Sequence, residues 1–247
     1  MRCYGLIGFP LTHSFSPAFF TEKFKQEGLN DCSYETYPME EIGSLKNLLE
    51  IQPFLGGLNV TIPHKKAVLA MLDSFDEVVE KTGSCNCIKI ENGKLIGYNT
   101  DVIGFEKSLV PLLSPHHCKA LVLGTGGSAA AVRFVLDKLG IDYLSASRNE
   151  NQVDYIAYNA ITPQVMASHT LIINTTPLGM FPHIHDCPAI PYDSITNQHI
   201  LFDLIYNPAE TLFLQKGKER GATIKNGAEM LMVQAEESWK IWSNVKI

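Results

Sequence analysis

Short apolar runs alternate with segments of helical spacing along almost the whole chain, the pattern of an α/β protein. Residues 4–9 and 33–37 read as strands, and 17–27 and 41–51 as helices. A short strand over 57–61 is stopped by Pro63, and 65–72 reads as a helix. Strands over 87–90 and 95–98 flank Glu91-Asn92-Gly93-Lys94, whose Asn-Gly pair predicts a hairpin turn. Asp101 is placed to cap a helix over 102–109.

The second half alternates more strictly. A strand at 120–123, a glycine turn, a helix at 128–139 and a strand at 142–147 come first. Strands at 170–174 and 199–204, a helix at 211–220 and a strand at 222–224 follow. Such alternation requires a parallel sheet with right-handed crossovers. The final helix, 228–245, carries Met230, Leu231, Ala235, Trp239 and Trp242 in one apolar stripe, and Gln234 lies on or beside that face.

Bulk properties narrow the function. The 247 residues, 45% of them hydrophobic, suffice for one large or two ordinary domains with their own cores. No apolar run approaches the ~20 residues of a membrane span. The net charge of -6 argues against a nucleic-acid partner but not against a small anion held by a few donors. Six scattered cysteines in a chain of this size read as reduced thiols, which suits a cytoplasmic protein. Cys85-x-Cys87 would set two thiols on one strand face, and His183-Ile184-His185-Asp186-Cys187 is rich in ligand types. Neither has a second half at zinc spacing, so no metal site is expected.

Gly124-x-Gly126-x-x-Ala129 follows an apolar strand and opens an Ala-rich helix, the setting of a dinucleotide-phosphate turn. Gly124 permits the tight turn, Gly126 lets a pyrophosphate approach bare backbone, and Ala129 allows close helix–strand packing. With Thr125, Gly127 and Ser128 they form the expected phosphate-binding block, at a helix end whose N–H groups and dipole favour anions. About 20 residues on, where NAD enzymes carry an acidic ribose ligand, this chain reads Ser147-Arg148-Asn149. A guanidinium there suits a 2′-phosphate, so NADP is the expected cofactor. Glu150 follows at once and no lysine or arginine recurs before Lys216, so the clamp is expected to be weaker than with two basic residues.

Five further segments carry the remaining chemistry. They are residues 8–17, with Ser14, Ser16 and Pro17; Asn59-Val60-Thr61-Ile62-Pro63-His64-Lys65; Asn99-Thr100-Asp101; Asn174-Thr175-Thr176-Pro177-Leu178-Gly179-Met180; and Asn226-Gly227-Ala228-Glu229-Met230-Leu231-x-x-Gln234-Ala235. A lysine, an aspartate and a cluster of amides and hydroxyls beside a nucleotide turn describe an enzyme that oxidises alcohols. In their joint order these segments resemble the shikimate dehydrogenase family. The resemblance implies reversible NADP-dependent reduction of 3-dehydroshikimate to shikimate, a step of aromatic amino-acid (chorismate) biosynthesis.

The same resemblance implies roles for individual residues. Lys65 is the expected proton acceptor, with Asp101 orienting it and the substrate hydroxyl; residue types alone leave open which of the two takes the proton. Ser14 and Ser16, with Ser16 read as the cap of the helix opened by Pro17, are expected to hold the substrate carboxylate together with Tyr206. Thr61 and Asn86 face the ring hydroxyls, and Gln234 reaches the same site. Cys87 stands where the family has threonine. On the cofactor side stand Thr175, Leu204 beside the nicotinamide, and Gly227, expected to let backbone approach the nicotinamide ribose.

The fold expected is two α/β domains with the active site in a cleft between them. Residues 1–101 plus 227–247 form an open-sheet substrate domain, and residues 102–226 a Rossmann-like NADP domain. The partners expected are a small-molecule substrate and cofactor, neither nucleic acid nor membrane, and the chain is a monomer or homodimer. Alternatives are a broader quinate/shikimate dehydrogenase using NAD or NADP and, more distantly, a methylenetetrahydrofolate dehydrogenase, disfavoured by the serine pair. A catalytically silent NADP-binding sensor is a further alternative, disfavoured by the presence of both Lys65 and Asp101.

Overall fold

Each strand-like run of the sequence becomes a strand in one of two six-stranded sheets. The computed structural model describes residues 2–11, 14–148 and 155–243. Thr12 and His13, Asn149 and Glu150, and the end of the expected last helix at 244–245 lie outside the described residues. The chain divides into two compact units, Met1–Thr100 with Ala235–Ile247, and Asp101–Gln234.

The first unit holds β1 (Arg2–Gly8), α1 (Ser16–Gln26), β2 (Cys32–Pro38), α2 (Leu45–Ile51), β3 (Leu55–Val60), β4 (Ser74–Phe75), α3 (Glu77–Thr82), β5 (Cys87–Glu91) and β6 (Lys94–Tyr98). Its sheet runs β2-β1-β3-β5-β6-β4. β1 pairs in parallel with β2 and β3, while β5 runs antiparallel to β3 and β6. The β5–β6 hairpin turns through Asn92 (φ 53°) and Gly93 (φ 75°), the two positive dihedrals that Asn-Gly tolerates best. Asp76 caps α3 by accepting the Val79 N–H at 2.8 Å.

Two cores lie on opposite faces of this sheet. One gathers Ile7, Leu58, Val60, Ile88 and Leu95 with Leu45 and Val68. The other is aromatic: Tyr4, Phe20, Phe24, Tyr34, Trp239 and Trp242. Tyr4 stacks on Trp242 at 5.1 Å between ring centroids, and Phe20 on Tyr34 at 4.4 Å. Burying each such ring is worth roughly 1.5–3 kcal/mol. Trp239 and Trp242 come from the last helix, α8 (Ala228–Ser243), and the Trp242 indole donates to the Ile88 carbonyl at 2.9 Å. Gly57 makes room for it, since a Cβ there would meet the indole ring.

The second unit contains α4 (Asp101–Leu109), β7 (Lys119–Leu123), α5 (Gly127–Leu139), β8 (Asp142–Ser147), β9 (Ile156–Ala157), α6 (Pro163–Ser168), β10 (Leu171–Asn174), β11 (Ile200–Asp203), α7 (Leu212–Glu219) and β12 (Thr223–Lys225). Its strands are all parallel, in the order β12-β11-β10-β7-β8-β9. Numbered within the unit this is 3-2-1-4-5-6, the doubly wound order, and the strand sequence reverses at β7 and β10. Open sheets collect ligands at the carboxyl ends of strands at such a reversal. The sheet's fully buried residues, Leu121, Leu123, Ile172 and Leu201 among them, form the core with Phe213 and Met166.

Three local expectations change. Residues 65–72 are not an α-helix: 62–66 form turns and Ala67–Met71 a 3-10 helix. Ser16 does not cap α1, because Phe15 already has helical dihedrals and Ser16 is the first helical residue. Cys85 and Cys87 do not share a face, since β5 begins only at Cys87; Cys85 packs in the aliphatic core and Cys87 in the aromatic one.

Candidate active site

The first unit builds a buried polar seam from the segments expected to hold substrate. Ser14 Oγ accepts the Ser16 N–H at 3.3 Å, so the serine pair opens α1 jointly. Ser16 is buried. Burial pushes the Tyr34 phenol well above its ordinary range, so it stays protonated and donates to Asn59 Oδ1 at 2.8 Å. Asn59 sits on the face of β3 opposite Leu58 and Val60, as strand alternation demands. Its amide donates to Ser238 Oγ at 2.9 Å, and that oxygen lies 3.2 Å from Thr100 Oγ1.

Asn86 closes this seam. Its Nδ2 donates to Thr100 Oγ1 at 3.0 Å, and its Oδ1 accepts the Thr100 N–H at 2.7 Å. The amide expected to face ring hydroxyls is therefore also a clamp on the residue before Asp101. Asn99 is held likewise, donating to the Ser84 carbonyl at 2.8 Å and to Thr82 Oγ1 at 3.2 Å.

Lys65 stands on a turn whose backbone is tied on every side. The His64 ring meets the Met39 carbonyl at 2.6 Å, and the His64 N–H donates to the Thr61 carbonyl at 2.9 Å. The Lys65 carbonyl accepts the Cys85 N–H at 2.8 Å, and Thr61 N–H donates to Ile7 at 2.9 Å. Lys65 is half-buried and Lys66 exposed. The turn sets the two side chains in different surroundings.

In the second unit the glycine turn and the segment after β10 meet at the strand reversal. Gly124 has φ +114°, and a Cβ there would lie 2.6 Å from Thr175 Oγ1. Thr175 donates both its N–H (2.9 Å) and its hydroxyl (2.7 Å) to the Leu123 carbonyl, so its expected cofactor role is joined to a structural one. Gly126 precedes the first turn of α5, and the space a Cβ would take there is open. Ala129 is fully buried against the sheet. Thr125, Gly127 and Ser128 are partly exposed around that helix end. Bare backbone, an open approach and the N–H groups of a helix N-terminus fit a pyrophosphate. Ser147 is buried at the end of β8, and Arg148 is exposed just beyond it, its charge felt by the Tyr158 phenol.

Gly227 is needed for a protein contact: a Cβ there would run into the Leu204 carbonyl, and its N–H donates to Ile205 at 3.0 Å. Its lack of a side chain thus serves Leu204 first. Tyr206 is half-buried on the same loop, and buried Gln234 donates to the Leu231 carbonyl at 2.9 Å.

Sequence reasoning missed Asp203, a lone carboxylate ending an apolar strand. It accepts from Thr211 Oγ1 (2.6 Å), the Ile205 N–H (3.1 Å) and Asn174 Nδ2 (3.1 Å), tying the end of β10, which leads into Thr175, to the segment after β11 that carries Leu204 and Tyr206. Burial pushes its pKa to about 6 from an ordinary 3.8, with these donors opposing the rise. A carboxyl that holds its proton more tightly when folded stabilises the fold fully below its unfolded pKa, and the contribution fades as pH rises through about 6. The full swing is roughly 3 kcal/mol. Asp203→Asn should therefore flatten the fall in Tm from pH ~4 to ~6. Thermal unfolding across that range checks it; an unchanged slope would refute the assignment.

Among the described residues no group of three or more His, Cys, Asp or Glu could hold a metal ion, and no helix is long and apolar enough to cross a membrane.

Comparison with known proteins accords with this geometry. Residues 6–88 match the family model for the shikimate dehydrogenase substrate binding domain. The chain is 37% identical to shikimate dehydrogenase (NADP(+)) of Methanococcus aeolicus, covering 99% of this chain and 93% of that one. The crystal structure of shikimate dehydrogenase from Aquifex aeolicus superposes with a TM-score of 0.88 at 33% identity, over 100% of this chain and 94% of that one. A Thermus thermophilus shikimate 5-dehydrogenase solved with NADP(H) and shikimate gives 0.87 at 28% identity, over 99% and 94%. With its 37% identity to the Methanococcus aeolicus protein over 99% of its length, the chain belongs to the shikimate dehydrogenase family.

Proposed function

We propose that the protein is an NADP-dependent oxidoreductase that interconverts 3-dehydroshikimate and shikimate, in the cytoplasm, as a step of aromatic amino-acid biosynthesis. The observation that carries this reading is the pairing of a doubly wound sheet, with Gly124 and Gly126 at its strand reversal, and a separate unit presenting Ser14, Ser16, Thr61 and Lys65. Residues Met1–Thr100 supply the substrate-binding surface and the α5 end of the other unit holds the cofactor.

Gly126, Gly127 and Ser128 would hold the pyrophosphate through backbone N–H groups, and Arg148 with Ser147 the adenosine ribose phosphate. When bound, NADP supplies the hydride acceptor for the alcohol and, reduced, the donor for the ketone. This chain's residues move the proton. Lys65 takes it from the substrate hydroxyl in oxidation and returns it in reduction, with Asp101 orienting the pair. Ser14, Ser16 and Tyr206 hold the carboxylate; Thr61, Asn86 and Gln234 address the ring hydroxyls.

Steady-state kinetics with shikimate and quinate, each against NADP and NAD, test the reading. Turnover should be highest with shikimate and NADP; failure to oxidise shikimate with either cofactor would refute it. The same measurements on Arg148→Ala bear on cofactor choice. One charge-assisted contact contributes roughly 1.5–3 kcal/mol, about 10–150-fold in affinity. The substitution should erase most of the NADP preference by weakening NADP and sparing NAD. Equal affinity for both cofactors in the unmodified protein would refute a role for Arg148.

A further inference from the structure

The last residues of β10 and β11, Asn174 and Asp203, stand opposite each other in the sheet, and both are fully buried. Each precedes a residue assigned to the cofactor: Thr175 follows Asn174, and Leu204 follows Asp203. Asn174 Nδ2 donates to Asp203 Oδ1 at 3.1 Å, so side chains as well as backbone join the two strand ends. The Leu204 N–H donates to the Asn174 carbonyl at 3.0 Å.

Beyond this link each side chain folds back on its own segment. Asn174 Oδ1 accepts the Thr176 N–H at 3.0 Å and the Thr176 hydroxyl at 2.7 Å, which fixes the residue after Thr175. Asp203 Oδ1 accepts the Ile205 N–H at 3.1 Å, which fixes the residue after Leu204. Asp203 Oδ2 takes the Thr211 hydroxyl at 2.6 Å, and that oxygen caps α7 by accepting the Leu214 N–H. Thr175 and Leu204 are thus each bracketed by two anchored neighbours. Packing alone does not call for such a pair, since apolar side chains would hold two strand ends together at less cost than a buried carboxylate. A carboxylate does something else: its two acceptor oxygens take three donors at once and fix their directions.

Both strand ends belong to the β10–β12 half of the doubly wound sheet, across the strand reversal from the half that carries Arg148. A dinucleotide lies across such a reversal with one mononucleotide on each half. With the adenosine phosphate assigned to Arg148, the nicotinamide falls to the half that Asn174 and Asp203 organise.

We propose that Asp203 and Asn174 are positioning residues for the nicotinamide half of the cofactor: they set the backbone of Thr175 and Leu204 without touching the cofactor themselves. This rests on the NADP reading of the site and extends it to two buried side chains behind it.

Binding of two ligands to the full-length protein tests it: NADPH, and 2′-phospho-ADP-ribose, the same molecule without its nicotinamide. Asn174→Ala removes the donor to Asp203 and the acceptor of Thr176. It should weaken NADPH about three- to tenfold, one hydrogen bond's worth, and leave 2′-phospho-ADP-ribose within about twofold. Asp203→Ala should weaken NADPH at least as much, again sparing the shorter ligand; if that variant fails to fold, Asn174→Ala decides. Retained binding of the shorter ligand also shows that the glycine turn is intact. Equal weakening of both ligands would make the pair merely structural and overturn the proposal, as would an unchanged affinity for NADPH. An unmodified protein that bound neither ligand would overturn the NADP reading, and the positioning role with it.

Discussion

Lys65→Ala is expected to lower turnover by roughly 10²–10⁴-fold while leaving NADP affinity nearly intact. Hydride loss from a carbinol carbon leaves a ketone only if the hydroxyl proton departs too, and a positioned base removes that barrier. The structure adds a reason for choosing Lys65 over its neighbour. Its turn is tied through His64 to Met39 and through its own carbonyl to Cys85, so its Cα is fixed, and it is half-buried where Lys66 is exposed. Lys66→Ala should therefore be close to wild type. Lys65→Arg separates two roles: guanidinium keeps the charge but does not give up a proton at working pH, so it should be nearly as damaging as alanine. Near-normal turnover in Lys65→Ala, or equal damage from Lys66→Ala, would overturn the assignment.

What could be read in the sequence was what local chemistry dictates. The Asn92-Gly93 hairpin was legible because few pairs accept two positive φ values, and both are observed. The doubly wound unit was legible because strict alternation of strands and helices leaves little topological choice. The glycine turn was legible as well, since its strand and helix flank it on schedule.

The rest depended on context outside the local sequence. Strands as short as Ser74–Phe75 and Ile156–Ala157 carry no periodic signal. Residues 67–71 have apolar positions that suit a 3-10 helix as well as an α-helix, and only the tied turn before them decides. Ser16 reads as a cap by type, yet capping is a matter of backbone dihedrals, and Phe15 had already entered the helix. The link from Asn59 to Ser238 spans 179 positions and leaves no local trace. Ser238 was visible only as a serine within two residues of Trp239 and Glu236 on a largely apolar helix. Asp203 did leave a signal, a carboxylate ending the run Ile200-Leu201-Phe202, but its donors at the end of β10 and beyond β11 meet it only in the fold.

Removing both serine hydroxyls, in a Ser14→Ala/Ser16→Ala double mutant, should raise KM for shikimate strongly with a smaller effect on turnover. Each lost partner of a buried or half-buried anion is worth ~1–3 kcal/mol, or about 5–150-fold. The carboxylate assigned to this site is met by hydroxyls and the opening turn of α1 rather than by an arginine, so no single formal charge secures it. The two serines are not equivalent. Ser14 Oγ takes the Ser16 N–H, so Ser14→Ala also withdraws an acceptor from the start of α1, whereas Ser16→Ala removes only the hydroxyl assigned to the carboxylate. Part of the first effect should accordingly appear as a lowered Tm, and most of the second as KM. KM for NADP, read in parallel, should move little, because the phosphate-binding turn belongs to the other unit. A double mutant with unchanged KM for shikimate would show that the carboxylate is held elsewhere.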